Sequence, residues 1–130
     1  MTLNEATRKL LDGKNFATVA TLGPNGAPQT SVVWIDRDGD SAVFTITSDK
    51  QKARNLANDA RISVTVFDSE NPYNSTEIRG TAELIEDPEK TLSKALSHKY
   101  VGADPPPEPA EVLRYIVRVT PEKVLNFSAS

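Results

Sequence analysis

The chain of 130 residues contains no cysteine. That excludes disulfides, thiol catalysis, zinc–thiolate sites and iron–sulfur clusters. It contains one histidine, so a histidine-based metal site is not expected. That residue, His98, stands beside Lys99 and Tyr100 on a helical stretch, a setting for packing or surface and not for a base. No G-x-S-x-G elbow, Walker A loop or G-x-G-x-x-G run occurs, which removes nucleophilic and nucleotide hydrolysis and Rossmann-type cofactor binding. Asp36, Asp38 and Asp40 bracket one turn, but no glutamate follows at the position a calcium loop requires. No apolar run approaches the ~20 residues that span a bilayer, and the N-terminus lacks a secretory h-region. A cytoplasmic protein without membrane partners is expected. The net charge of −3 argues against general nucleic-acid binding. Aromatic residues make up 6% of the chain, so the core must be thrifty, and burial of a subunit face in a homodimer is expected. The length fits a single domain over residues 1–130.

What is present centres on Ser41 to Phe67. Ser41 to Thr47 alternates branched or aromatic residues with small ones and reads as a strand. Ser48 or Asp49 would cap a short helix whose apolar stripe is Ala53, Leu56 and Ala57, and Arg61 to Phe67 reads as the next strand. Lys50, Lys52 and Arg54 crowd the beginning of that helix, its electropositive end, where each cation is disfavoured by ~0.3–1 kcal/mol. With Thr45, Thr47 and Ser48 leading in, these cations predict a socket for a polyanion, in which helix N–H groups, hydroxyls and ammonium groups converge on phosphate. The alternative is a solvated basic face whose stems cover the sheet, partly neutralised by Asp49 and Asp59.

Around this stretch, Leu3, Ala6, Leu10 and Leu11 form one face of a helix that Gly13 ends, and Asn15–Leu22 and Pro28–Ile35 form a hairpin across Gly23-Pro24-Asn25-Gly26. Asp36 to Asp40 is a tight turn. Tyr73 to Ile85 reads as one long strand, with Gly80 marking a bulge or a close backbone approach. A helix starting at Pro88 and reaching about His98 would turn Leu92, Ala95 and Leu96 inward. A proline-rich surface loop over 101–111 precedes strands at Glu111–Thr120 and Lys123–Ser128. The sum is a mainly β fold of six or seven mostly antiparallel strands with about three short helices in the connections, a β-barrel with helical plugs. An oligonucleotide-binding barrel is the runner-up, but its stacking aromatics are missing and Trp34 stands nearly alone.

Three stretches carry a family resemblance: Phe16 to Leu22 with Asn25 to Trp34; Thr45 to Leu56; and Asn71-Pro72-Tyr73, Glu77 to Glu83 and Lys99-Tyr100-Val101-Gly102. In this order they resemble the flavin/deazaflavin split-barrel proteins related to pyridoxamine 5′-phosphate oxidase, most of all the small branch that uses the deazaflavin coenzyme F420. The resemblance implies a split β-barrel, a homodimer with two cofactor sites at the subunit interface, and a small-molecule substrate. It further implies that Lys52, Lys50 and Asn55 hold the cofactor's phosphate and acidic tail, and that Thr45, Thr47 and Ser48 add hydroxyls. Gln29, Ser31 and Val33 would line the ring from the second strand, and Tyr73 and Arg79 would reach in from the partner chain. Each also has a plainer reading. Gln29 and Ser31 could be strand surface, Val33 barrel core, Tyr73 loop packing, Arg79 an ion-pair partner of Glu77 or Glu83, and Trp34 core or dimer surface. The cofactor would carry the chemistry, so no side chain is assigned as catalytic. FMN is the alternative cofactor; the surplus cations Arg54 and Arg79 favour F420. A cofactor-binding protein without turnover and a cofactor-free interaction module are the remaining classes. The chain ends soon after Phe127, where vitamin B6 oxidases continue into a longer region, so oxidation of that vitamin is not expected.

Overall fold

The computed structural model describes residues 1–128. Seven antiparallel strands, β1 (Phe16–Leu22), β2 (Pro28–Trp34), β3 (Asp36–Asp38), β4 (Ser41–Thr47), β5 (Arg61–Asp68), β6 (Asn71–Glu86) and β7 (Arg114–Ser128), form one sheet in the order β2-β1-β5-β6-β7-β4-β3. Three helices lie in the connections: α1 (Glu5–Asp12), α2 (Gln51–Asn58) and α3 (Thr91–Val101). The strand order itself dictates the shape. β2 and β3 are the two edges of the sheet, yet only Ile35 separates them in the chain. The sheet must therefore curl until its edges meet at that residue, and its concave side becomes the core. Phe44, Ile35, Ile46, Val64, Val66, Ile78, Val117 and Val119 are fully buried there.

β3 pairs only with Ser41 to Val43. The second half of β4, Phe44 to Thr47, thus has no strand on that side, and the barrel stays open between it and β2. The last turn of α3 pins the closed corner. The Tyr100 hydroxyl accepts from the Ile35 N–H (3.1 Å), and the Lys99 ammonium donates to the carbonyls of Ile35 (2.7 Å) and Leu11 (2.8 Å). The rings of Trp34 and Tyr100 stack at 5.2 Å with 4° between planes. Trp34, the one aromatic of β2, thus finds its stacking partner on α3, 66 positions away and beyond the reach of local pattern.

The long strands β6 and β7 form the spine. At Gly80 the register slips: Arg79 faces Lys123 but Gly80 faces Pro121, so Glu122 is left over as a bulge. The expected pair of terminal strands is thus one strand, in which Pro121, lacking an N–H, sits at the bulge where a ladder bond is already absent.

Some local expectations are corrected. Thr7, not Ala6, is buried on α1, because its hydroxyl meets that of Thr76 at 3.1 Å. α3 starts at Thr91, not Pro88: the Asp87 carboxylate accepts from the N–H groups of Thr91 and Leu92 (both 3.0 Å) and so fixes the helix start. Ala95 is exposed, while Ser93, Leu96 and Ser97 face inward.

Candidate functional site

Along the open seam between β2 and β4, three adjoining hollows of about 320, 340 and 440 Å³ share residues. Thr45 lines all three; Trp34 and Lys52 each line two. The seam is therefore one trough. At one end are the apolar Phe16, Val32, Val33 and Trp34, in the middle Thr45, and at the other end Thr47, Asp49, Lys50 and Lys52. A wider hollow of about 660 Å³ lies between α1 and the β5–β6 turn, and none of the cofactor-binding residues expected from the sequence line it.

The charged end is set by the start of α2. The expected Ser48 or Asp49 cap is not formed. Lys50 holds the cap position without a side-chain bond, and the first turn has no acidic residue. Ser48 instead donates its N–H to Leu113 O (2.9 Å), and the Asp49 carboxylate accepts from the Thr47 hydroxyl. The helix N-terminus thus keeps its positive potential and meets two cations for which the described residues supply no carboxylate within ion-pair distance. Lys52 is half-buried, and its Nζ donates to Ser31 Oγ (3.1 Å) across the seam. Burial, with Lys50 close by, holds its ammonium below the usual 10.5.

A group in this state is improved by an anion. Bound sulfate should raise the Lys52 pKa, because it stabilises the charged form. By linkage, anion affinity is full below the free-state pKa and falls as pH rises through it. NMR titration of the labelled lysine side chain, with and without sulfate, should show that upward shift, and a pKa indifferent to sulfate would contradict it.

The other sequence-derived residues divide into groups. Gln29, Ser31 and Val33 share one face of β2, toward α2. Asn55, on the second turn of α2, is buried, and its amide donates to Thr21 Oγ1 (3.0 Å) and Gln29 Oε1 (3.1 Å) while Gln51 donates to its oxygen (2.8 Å). Its capacity is spent inside the protein, so it positions Gln29. Ala57 is exposed, and Asn55 occupies the inward place between Ala53 and Leu56. Thr45 donates to Tyr115 O (3.2 Å). Arg54 is turned back on Gln51 and the Asp49 carbonyl. Gln29, Ser31, Ser48, Asn55, Tyr73 and Arg79 line none of the three hollows; Tyr73 is 65% exposed, and Arg79 pairs with Glu77 at 2.6 Å. Arg114 and Glu108, which no sequence motif singles out, line two of the hollows each.

A curled seven-stranded sheet with a basic, open seam is the architecture of a flavin-type split barrel, and the chain belongs to the pyridoxamine 5′-phosphate oxidase family, whose profile matches residues 3–128. Among solved structures it is similar to an F420 reductase, with 32% identity and a TM-score of 0.84, covering 95% of this chain and 98% of that one. Two more distant structures share the fold. One is a conserved hypothetical protein from Mycobacterium tuberculosis (22% identity, TM-score 0.78, 98% and 86% coverage) and the other is HupZ of Group A Streptococcus (18%, 0.72, 99% and 100%). A search of curated proteins finds no match. No helix among the described residues is long and apolar enough to cross a membrane.

Proposed function

We propose that the chain is a homodimeric oxidoreductase that holds coenzyme F420 in the seam and transfers a hydride between it and a small organic acceptor. The observation that carries this reading is the half-buried Lys52 beside Lys50, without a carboxylate partner, at the uncapped tip of α2. The likeness to an F420 reductase supports it. When bound, the deazaflavin supplies the hydride. The chain's own part is to anchor the anionic tail with Lys50 and Lys52, to offer the hydroxyls of Thr45 and Thr47 along the trough with Ser48 next to them in the chain, and to present Gln29, Ser31 and Val33 beside the ring. The protein would gain rate by proximity and orientation, with solvent as proton donor.

Titrating the protein with F420 and with FMN, followed by ligand fluorescence, tests this directly. Tight F420 and weak FMN binding is expected; the reverse selects FMN. An acceptor panel with reduced cofactor then separates an enzyme from a binding protein, since oxidation of none of the acceptors would mean binding without turnover.

The dimer part rests on the convex face of the sheet. Phe67, Ser75 and Phe127 lie in one cross-strand row, and Val32, Thr18, Thr65, Glu77 and Leu125 in the next. With Phe16 at the edge, that face exposes Phe127 by 58%, Val32 by 65% and Phe16 by 50%, a patch suited to a second copy. Tyr73 and Arg79 lie on the same strand, β6, so a second copy seated there would carry its Tyr73 and Arg79 toward the seam. Phe127→Asp should weaken dimerisation at least about 100-fold, since each such side chain contributes ~1.5–3 kcal/mol on burial and a buried carboxylate opposes it further. Sedimentation equilibrium would read this as monomer at micromolar concentration; an unchanged dimer would place the interface elsewhere.

A further inference from the structure

The connection between α3 and β7 passes over the trough as a strap that few backbone bonds hold. Pro105, Pro106, Pro107 and Pro109 have no N–H to give, and within the strap Val112 N–H bonds only to Pro109 O (3.1 Å). Its tie near α3, His98 to Asp104 at 2.6 Å, is exposed on both sides and so worth little. Its two ends are fixed by the Ser97 hydroxyl, which donates to Ala103 O (2.5 Å), and by Ser48 N–H, which donates to Leu113 O (2.9 Å); the tie at its middle is Glu108 to Arg114, with side chains only 17% and 21% exposed.

That tie is poorly made. Arg114 donates both Nε (2.8 Å) and Nη2 (2.6 Å) to the same oxygen, Glu108 Oε1. Glu108 Oε2 is shielded from solvent with no hydrogen-bond partner, and Lys90 Nζ stands 3.9 Å away. A guanidinium is better used when its parallel N–H groups meet two oxygens, and a carboxylate oxygen without a donor is costly to bury. Arg114 also faces the hollow that holds Lys50 and Lys52, with Nη1 3.5 Å from Thr45 Oγ1. Glu108 in turn walls the hollow beneath Pro105 to Pro107, where Trp34 lies.

We propose that Arg114 is a third anion-binding cation of the seam, held in reserve by Glu108, and that an incoming oxyanion takes the guanidinium from Glu108 and releases the proline strap. The exchange is anion for anion. Arg114 holds the Glu108 carboxyl below the usual carboxylate range against the opposing effect of burial, with Lys90 adding to this and Asp49 opposing it. The inference deepens the anchoring role assigned above to the basic end of the trough, and rests on it.

Trp34, the only tryptophan, reports the strap through quenching by acrylamide, with tripolyphosphate as the anion. In the wild-type protein, saturating tripolyphosphate should raise quenching about twofold or more. Glu108→Gln should show high quenching without anion and bind tripolyphosphate about 3- to 10-fold more tightly. Arg114→Gln should bind it about 10-fold more weakly, the loss expected for one charge-assisted bond, and show no quenching response. Asp49→Asn removes a charge from the same hollow without touching the strap, so it should tighten binding and leave quenching unmoved. Wild-type quenching that ignores tripolyphosphate, absence of tripolyphosphate binding, or Glu108→Gln binding no more tightly than wild type overturns the proposal. F420 titrated in parallel keeps the two readings apart. F420 binding with a silent strap leaves the oxidoreductase and removes the exchange, whereas the expected tripolyphosphate results without F420 binding do the reverse.

Discussion

Lys52→Ala should weaken F420 binding about 10- to 150-fold, the span of ~1.5–3 kcal/mol for a hydrogen bond to a charged group in a partly desolvated place. The melting temperature should hardly move. The two expectations follow from one feature. In the free protein the Lys52 ammonium is disfavoured by burial and by Lys50, and its single polar partner is the neutral hydroxyl of Ser31. Removing it relieves an unfavourable charge while losing one modest bond, so stability is nearly conserved. In the complex the same ammonium would meet the cofactor's negative tail, and its loss is felt in full. Lys50, exposed at the cap position, should behave differently. Lys50→Ala should cost no more than about 5-fold, as surface charges contribute ~0.2–1 kcal/mol. Equal losses for the two lysines, or a Lys52→Ala protein that binds like wild type, would show that the tail docks elsewhere. Fluorescence titration together with thermal melts of the three proteins decides it.

The contrast between these lysines also shows how far the sequence could be read. Three like charges at a helix start were visible as an anomaly because the macrodipole rule is local, needing only residues within one turn. The same holds for Ser41 to Thr47, whose alternation is a property of consecutive positions, and for Gly80, where a glycine inside a long branched strand implies crowding. Other features escape because they depend on which side chains meet in the folded chain, which local pattern does not show. Asn55 follows Lys52 by three positions, nearly one turn of helix, and its amide bonds Thr21 and Gln29, 34 and 26 positions away, which no local pattern shows. Asp87 overrides Pro88 as the start of α3 because a carboxylate three residues before the cap reaches two N–H groups at once. The strands expected at Glu111–Thr120 and Lys123–Ser128 are one, because the bulge opposite Gly80 absorbs Pro121 between them. The Trp34–Tyr100 stack joins residues from different elements, and only the curl of the sheet brings them together; Glu108 and Arg114 are six positions apart, but a proline-rich loop has no periodicity from which their pairing can be read. Arg54 and Arg79, counted from the sequence as free cations favouring a longer anion, are engaged within the chain by Gln51 and Glu77. The case for F420 over FMN therefore shifts from them to Lys50, Lys52 and Arg114.

Gly80→Ala should destabilise the protein by about 3 kcal/mol or more, beyond the usual range for one added methyl group. A Cβ there would lie 2.0 Å from the Thr120 carbonyl oxygen and 2.9 Å from its carbon, with Pro121 Cα at 3.2 Å. All three are backbone atoms of the neighbouring strand, so no side chain can turn aside to make room. The clash falls where the register of β6 on β7 slips, and relief would require β7 to lift from β6 at the point where Pro121 already supplies no donor. β7 also carries β4, and β4 bears Thr45 and Thr47, so the same displacement would widen the seam. The expected result is a fall in melting temperature of roughly 10 °C or more for a domain of this size, accompanied by weaker cofactor binding although Gly80 lies outside the trough. Gly26→Ala is the comparison. Nothing lies within 4 Å of its added Cβ, and only its φ of +76° opposes the change, for which about 1 kcal/mol is expected. If the two variants melted together, the close approach at Gly80 would be one the sheet can readily relax, and the bulge would not be what sets the spacing of β6 and β7.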